Sequence, residues 1–384
     1  MKVKIFSDTP LTNYGGGEIV IIELNRYLTA NNVESIVYQP VRVKNVQRVS
    51  ENYINKIIGT EIKSVDYLNH GLIKFLFHSL PNPEDMDSEN VNLVFLYRVP
   101  STQYLKLIKR SGKRVIFCFH GITLERLRMH PFIILSYQLY LRIALLSFTR
   151  NINTSDEIFV QVLTDNMQNQ LQKYSLHYNK IFKIGNGLKC EELDVGRNDS
   201  EFRIVFIGRL ENLQKGIKTL KSVIRKSEDI QVIYDIIGSG PDQKLLYEVS
   251  NLANITGFLS EELKKSYLLR ANLMIITSYM EPYSMVALEG LLSGLPIVST
   301  PVSGPVSIIS KNSDYGMIST FNTNDIVTAI KKYYLEWNKD KQLYYMKKVK
   351  RRNLSSQEFR ADITYYKYLE MIKKVSNRVN RSSF

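Results

Sequence analysis

The chain has 384 residues of ordinary globular composition, 44% hydrophobic and 23% charged, and its 51 lysines and arginines against 37 aspartates and glutamates give a formal net charge of +14. That length exceeds the size at which a single core stops growing, so two domains are expected. The two cysteines, Cys118 and Cys190, lie far apart in no CxxC or Cys/His ligand spacing, which argues against a disulfide framework or a zinc site and fits a reducing cytoplasm.

Residues 1–7 carry Lys2 and Lys4 and pass directly into a strand, without the apolar run of a secretory signal peptide. A strand at 3–6 leads to a glycine turn at Gly15, Gly16 and Gly17, then to helical periodicity through Ile19, Ile22 and Leu28. Further strands are expected at 36–38, 73–77, 91–97, 115–119 and 158–162, with helical segments between several of them. The longest apolar stretch, 131–148, is interrupted by Arg142 and flanked by Arg126, Arg128 and Arg150, and falls short of the roughly 20 residues of a membrane span. Segment 126–150 admits two readings: a helix in a membrane interface with its arginines on lipid phosphates, or a buried helix of the first domain. The second is favoured because the apolar residues are not confined to one stripe.

After a polar stretch at 189–201 the pattern restarts, with strands expected at 203–207, 232–237, 273–276 and 297–299. The tail 355–379 has helical spacing at Phe359, Ile363, Tyr366, Leu369 and Ile372. The reading is an α/β chain of two Rossmann-like halves: residues 1–188, residues 189–354, and a closing helix within 355–384 that packs back on the first domain. In such folds ligands sit outside the carboxyl ends of strands, and two facing domains form a cleft there.

Two constellations carry chemistry. Glu281 lies in the loop before a helix and Glu289 within that helix, so both carboxylates can face a ligand at the helix N-terminus and accept hydrogen bonds from vicinal hydroxyls. The amides of Ser284, Met285 and Val286 are the first-turn donors suited to a phosphate. Alternatively, an acidic loop and a helix-face glutamate stand near each other by coincidence. Gly208-Arg209-Leu210 closes the strand at 203–207 and Lys215-Gly216 follows, placing two cations at one strand-helix junction. They suit a diphosphate leaving group without a divalent metal, unless they are ordinary surface charge.

Six ordered elements within about 90 residues then resemble the C-terminal domain of retaining GT-B glycosyltransferases of family 4, the glycosyl transferases group 1: Phe206-Ile-Gly-Arg-Leu210, Lys215-Gly216, Ile237-Gly-Ser-Gly-Pro241, Thr256-Gly-Phe258, residues 281–289, and Ser293-Gly-Leu-Pro-Ile-Val298. The resemblance implies the GT-B fold and a donor site of Gly16, Gly17, Gly208, Arg209, Lys215, Phe258, Glu281, Ser284, Met285, Val286 and Glu289. Arg209 and Lys215 would bind the diphosphate, Glu281 sugar hydroxyls and Glu289 ribose hydroxyls, with Phe258 bordering the base pocket. His120, at the end of the strand at 115–119, resembles the family histidine near the reacting sugar; the alternative is a capped or core histidine. For the glycine turn, contact with phosphate or acceptor and a purely structural turn are equally weighted, while Gly238 and Gly240 read as structural turn residues.

The resemblance departs at Ser284, where glycine is common, and at the hinge Gly185-Asn-Gly-Leu-Lys189. It implies a retaining, metal-independent transferase moving a hexose-type sugar from a nucleotide diphosphate sugar, a UDP-sugar by preference. The acceptor would be a glycan or lipid-linked glycan in cell-surface polysaccharide synthesis. His120, Arg209, Lys215 and Glu281 would be catalytic, no cofactor or metal is implied, and the location is cytoplasmic, on the inner face of the membrane if the anionic surface is a partner. Asp85-Met-Asp87 sits in a polar, proline-containing loop and is set aside as a metal site. A nucleotide-sugar epimerase of the same fold is one alternative. The other, a nucleic-acid-binding protein, is disfavoured because basic residues are spread along the chain, with only 347–352 dense.

Overall fold

The computed structural model describes residues 1–13, 15–41, 50–60, 62–69, 79–121, 131–189 and 195–378. These fall into two units: residues 1–121, 131–187 and 361–378 form one, and residues 188–189 with 195–360 the other. The expected strand at 73–77 and Cys190 lie outside the described residues.

In the first unit, strands β1 (Lys2–Ser7), β2 (Glu34–Pro40) and β3 (Ile62–Val65) are followed by a short antiparallel pair, β4 (Leu68–Asn69) with β5 (Ser79–Leu80). Strands β6 (Val91–Leu96), β7 (Val115–Phe119), β8 (Ile158–Val162) and β9 (Ile181–Lys183) complete a seven-stranded parallel sheet of order β3-β2-β1-β6-β7-β8-β9. Every residue of β6, β7 and β8 is buried, which is why they read as mainly apolar runs, interrupted only by Asn92 and Gln161, rather than alternating ones. Helices α1 (Gly16–Ala30), α2 (Glu51–Ile58), α3 (Thr102–Ser111), α4 (Pro131–Asn153) and α5 (Asp165–Lys173) lie between strands. Their ends follow local chemistry. Ser101 Oγ accepts from the Tyr104 amide to start α3, and Gly112 ends it in the left-handed region at φ 63°.

Strands β10 (Phe202–Ile207), β11 (Val232–Ile237), β12 (Ala253–Gly257), β13 (Leu273–Ile276), β14 (Ile297–Ser299) and β15 (Gly316–Ile318) form the second unit's parallel sheet, of order β12-β11-β10-β13-β14-β15. Its helices are α6 (Asn212–Lys215), α7 (Ile217–Lys226), α8 (Glu261–Arg270), α9 (Met285–Leu292), α10 (Ser303–Ile309), α11 (Thr323–Lys339) and α12 (Lys341–Phe359). The two-residue period of β10 divides the core. Phe202, Ile204 and Phe206 pack with Leu220 and Val223 of α7 and Ile330 and Trp337 of α11, whereas Val205 packs with Leu288 and Leu291 of α9. Each such fully buried side chain contributes about 1.5–3 kcal/mol of transfer free energy.

Two buried cations of α12 close this core. Lys348 Nζ donates to the Gly196 and Ala271 carbonyls at 2.7 and 2.8 Å, and Arg351 to those of Gly294 and Asp314. The final helix, α13 (Ala361–Arg378), belongs to the first unit, where Tyr365 lies 6.0 Å from Tyr27 of α1 and Tyr368 lies 6.5 Å from Phe95 of β6. Among the described residues, no helix is long and apolar enough to cross a membrane.

Candidate functional site

Strands β11, β10 and β13 are neighbours, so the loops leaving their carboxyl ends meet. The Gly208 amide donates to Ile237 O at 3.0 Å, and a Cβ at Gly238 would overlap the Gly208 carbonyl oxygen. A Cβ at Gly240 would likewise overlap the Leu210 carbonyl oxygen. These two glycines therefore allow backbone-on-backbone packing of two strand-end loops. Arg209 extends outward with its side chain 49% exposed, Nε 3.4 Å from Glu211.

Lys215 ends the single turn of α6, and Gly216 follows in the left-handed region at φ 67°, where a Cβ would overlap the Thr277 carbonyl oxygen. The loop after β13 is bonded onto that turn: Thr277 Oγ1 donates to Lys215 O and the Tyr279 amide to Gln214 O, both at 2.8 Å. This brings Lys215 Nζ to 2.6 Å from Glu281 Oε2, with 13% and 9% of the two side chains exposed. Ser278 Oγ donates to the same carboxylate oxygen at 2.9 Å, and the Gly304 amide donates to Glu281 O at 2.8 Å. An ion pair this shielded is screened little by salt.

Ser284 is buried and its Oγ caps α9 by accepting from the Ala287 amide at 3.2 Å, so its side chain serves the helix, and Met285 and Val286 form the first turn. Glu289, further along α9, meets a residue that sequence reasoning missed. Lys264 of α8 places Nζ 3.0 Å from Glu289 Oε1 and 2.8 Å from Glu261. Glu289 Oε2 is buried with no hydrogen-bond partner. Burial pushes the Glu289 carboxyl above its ordinary value, and the Lys264 charge pulls it back. The two glutamates are thus each paired with a different lysine. A pocket of about 350 Å³ adjoins Glu289, bordered by Lys264, Lys265, Ser293 and Arg352. Phe258, just past β12, is 69% exposed.

In the first unit, Asp8, Tyr97 and His120 each stand one residue past the end of β1, β6 and β7, three adjacent strands. Position was the signal for all three, although only His120 was singled out. Gly16 and Gly17 open α1, and the Gly15 amide donates to Glu18 Oε2 at 3.0 Å. A Cβ at Gly17 would overlap the Tyr97 hydroxyl, so this glycine is where the ring and the helix meet. Asp8 Oδ2 accepts from the Tyr97 amide at 2.9 Å while Oδ1 is buried without a partner, and burial raises its pKa to about 7. His120 is buried edge-on to Phe95 with ring centroids 4.9 Å apart and Nε2 unpartnered; burial lowers its pKa to about 3, so the imidazole is neutral. Asp87 accepts from the Glu89 and Asn90 amides within its own loop. Among the described residues, no group of three or more His, Cys, Asp or Glu is placed to hold a metal ion.

Residues 192–350 match the family model of glycosyl transferases group 1. Over these residues the chain is similar to the group 1 glycosyl transferases. The matched region contains Arg209, Lys215, Phe258, Glu281 and Glu289. Over 117 residues the chain is 33% identical to a 2-deoxystreptamine N-acetyl-D-glucosaminyltransferase of Niallia circulans, covering 28% of this chain and 29% of the relative. Over 129 residues it is 29% identical to the putative teichuronic acid biosynthesis glycosyltransferase TuaC of Bacillus subtilis, covering 34% and 32%. The chain spans less than a third of the length of these two curated relatives. In fold, it resembles Anabaena HepE solved with UDP and glucose, with a TM-score of 0.67 at 14% identity over 97% of this chain and 100% of the other. The two units have the Rossmann-like α/β folds of GT-B glycosyltransferases.

Proposed function

We propose that this protein is a retaining, metal-independent glycosyltransferase moving a hexose-type sugar from a UDP-sugar to a glycan or lipid-linked glycan of a cell-surface polysaccharide. The Lys215–Glu281 pair carries the reading, because it sets a cation and an anion 2.6 Å apart beside the ends of β10 and β13. Lys215 and the outward-reaching Arg209 meet the charge that builds on a departing diphosphate, while Glu281, fixed by Ser278, accepts from hydroxyls of the transferred sugar. Glu289 takes the ribose hydroxyls through its unpartnered oxygen, Phe258 borders the base, and the backbone of Gly208 and of Ser284, Met285 and Val286 approaches the phosphates. In the first unit, His120, Gly16 and Gly17 serve the reacting sugar and the acceptor. UDP as the nucleotide is supported by the HepE complex, and a cell-surface product by the name of TuaC.

Release of nucleotide diphosphate from a panel of UDP-, GDP- and ADP-sugars in EDTA tests this reading. Release from UDP-sugar, reduced on the order of 100-fold by both Lys215→Ala and Glu281→Ala, is expected. Release unchanged in both variants, or none from any donor, rejects it.

A further inference from the structure

Measured against acids rather than by local density, the positive charge is not evenly spread. Residues 90–155 contain ten lysines and arginines and one acid, Glu125, and neither α3 nor α4 has an acidic residue. Much of the chain's excess positive charge therefore lies in one stretch of the sequence, the stretch that includes α3 and α4.

The same stretch exposes apolar surface. Helix α4 buries Leu141, Leu145, Phe148 and Ile152 at no more than 4% exposure. On its other side Leu139, Ile143 and Leu146 are 58%, 61% and 55% exposed, at the four-and-three spacing that aligns residues along one helical stripe. Exposed Arg142 and Arg150 flank that stripe. Helix α3 lies alongside, its Thr102 hydroxyl 2.6 Å from that of Ser147, and adds exposed Lys106 and Arg110 with Leu107 at 38% exposure. The sequence expectation that α4 is a buried helix with no distinct stripe thus holds for one face only.

We infer that the α3–α4 face docks on an anionic lipid surface, the aliphatic stripe entering the acyl boundary and the arginines and lysines meeting headgroup phosphates. Charge complementarity selects this occupant. A partner protein surface would need acids matched to individual cations, whereas a lipid leaflet supplies continuous negative charge above an apolar layer. The inference is independent of the sugar chemistry, because it uses no residue of the proposed donor site.

The test is co-sedimentation of the full chain with vesicles of phosphatidylcholine alone and of phosphatidylcholine mixed with phosphatidylglycerol, alongside light scattering of the free protein. Binding to the mixed vesicles only is expected. It should fall roughly thirtyfold in Arg142→Ser/Arg150→Ser, at about fivefold per cation. Leu139→Ser/Ile143→Ser/Leu146→Ser should also lose binding. A control removing equal charge from the other unit, Lys347→Ser/Lys350→Ser, should bind like wild type. These exposed positions leave the core intact, which matched thermal melts would register. No binding to mixed vesicles, equal loss in the control, or undiminished binding of the triple serine variant overturns the inference. So does self-association of the wild type that the triple variant abolishes, because a second copy would then be the occupant.

Discussion

Lys264 Nζ stands 3.0 Å from Glu289 Oε1, while the other oxygen of that carboxylate is buried without a hydrogen-bond partner. The lysine thus holds half of Glu289 and leaves the other half available. Lys264→Met should strip a largely buried carboxylate of its charge partner, lowering stability by on the order of 2 kcal/mol. The sign of the pH effect follows from linkage. Burial has already raised the Glu289 carboxyl above its ordinary value, so just above that value the folded chain holds a proton that the unfolded chain has released, and stability falls as pH rises. Without Lys264 that window extends upward. Melting temperature followed against pH should show the variant losing stability over a wider range than wild type; parallel profiles would mean the pair is not coupled. UDP affinity, measured by calorimetry, should weaken in the same variant.

Gly216 and Gly59 both adopt left-handed backbone, at φ 67° and 71°, but in different surroundings. A Cβ at Gly59 meets nothing within 4 Å, whereas one at Gly216 overlaps the Thr277 carbonyl oxygen. Gly59→Ala should therefore cost only the conformational term, about 1–2 kcal/mol. Gly216→Ala should cost more, because the loop that holds Glu281 must shift away from Lys215, and it should reduce diphosphate release as well. Urea denaturation of both variants separates the cases. Equal losses would show that the loop has room to adjust.

The strands that the sequence did not reveal share a position. Apart from the two-residue pair β4 and β5, they are β3, β9, β12 and β15, the four edges of the two large sheets. Central strands such as β7 and β8 are buried throughout and advertise themselves as apolar runs. Edge strands are half solvated, short and mixed in composition, so Gly316–Ile318 gives no such signal. The site divides in the same way. Arg209, Lys215 and Glu281 were legible because each lies just past a recognisable central strand. Lys264 was not, because it reaches Glu289 from a separate helix, a relation that periodicity along one segment does not encode. Asp8 and Tyr97 follow central strands as His120 does, but a single aspartate or tyrosine after a strand is too common to stand out.

Asp8 supplies a pH-dependent prediction in the first unit. Burial raises its carboxyl to about 7, with the Glu18 charge acting in the same direction, and only Oδ2 is hydrogen-bonded. Between the ordinary aspartate value and about 7, the folded chain binds a proton that the unfolded chain has lost, so wild-type stability declines as pH rises through that interval. Asp8→Asn keeps an acceptor for the Tyr97 amide and removes the ionisation. Its stability relative to wild type should therefore improve by on the order of 2–3 kcal/mol between about pH 5 and about pH 8. A difference that stays constant across that range would mean the carboxyl titrates as it does in the unfolded chain.

The Lys215–Glu281 pair can be measured without any sugar donor. Each side chain has its own supports: the Glu281 carboxylate receives Ser278 Oγ, and the backbone of Lys215 is held by Thr277 Oγ1. If position alone keeps the loop on α6, Lys215→Met and Glu281→Gln should destabilise independently and their effects should add. If the 2.6 Å ion pair itself ties the loop to the turn, each single change leaves the other partner largely buried and unneutralised, while the double change removes both charges. The second case is expected, with a coupling free energy on the order of 2 kcal/mol and a double variant more stable than the sum of the singles predicts. Urea denaturation of the four proteins provides the cycle. Because these charges are shielded, the coupling should persist at high salt, whereas an exposed pair such as Lys331–Asp229 should lose its coupling there. Coupling that vanishes with salt would place the pair in solvent and remove the rigid pairing on which the proposed donor contacts depend.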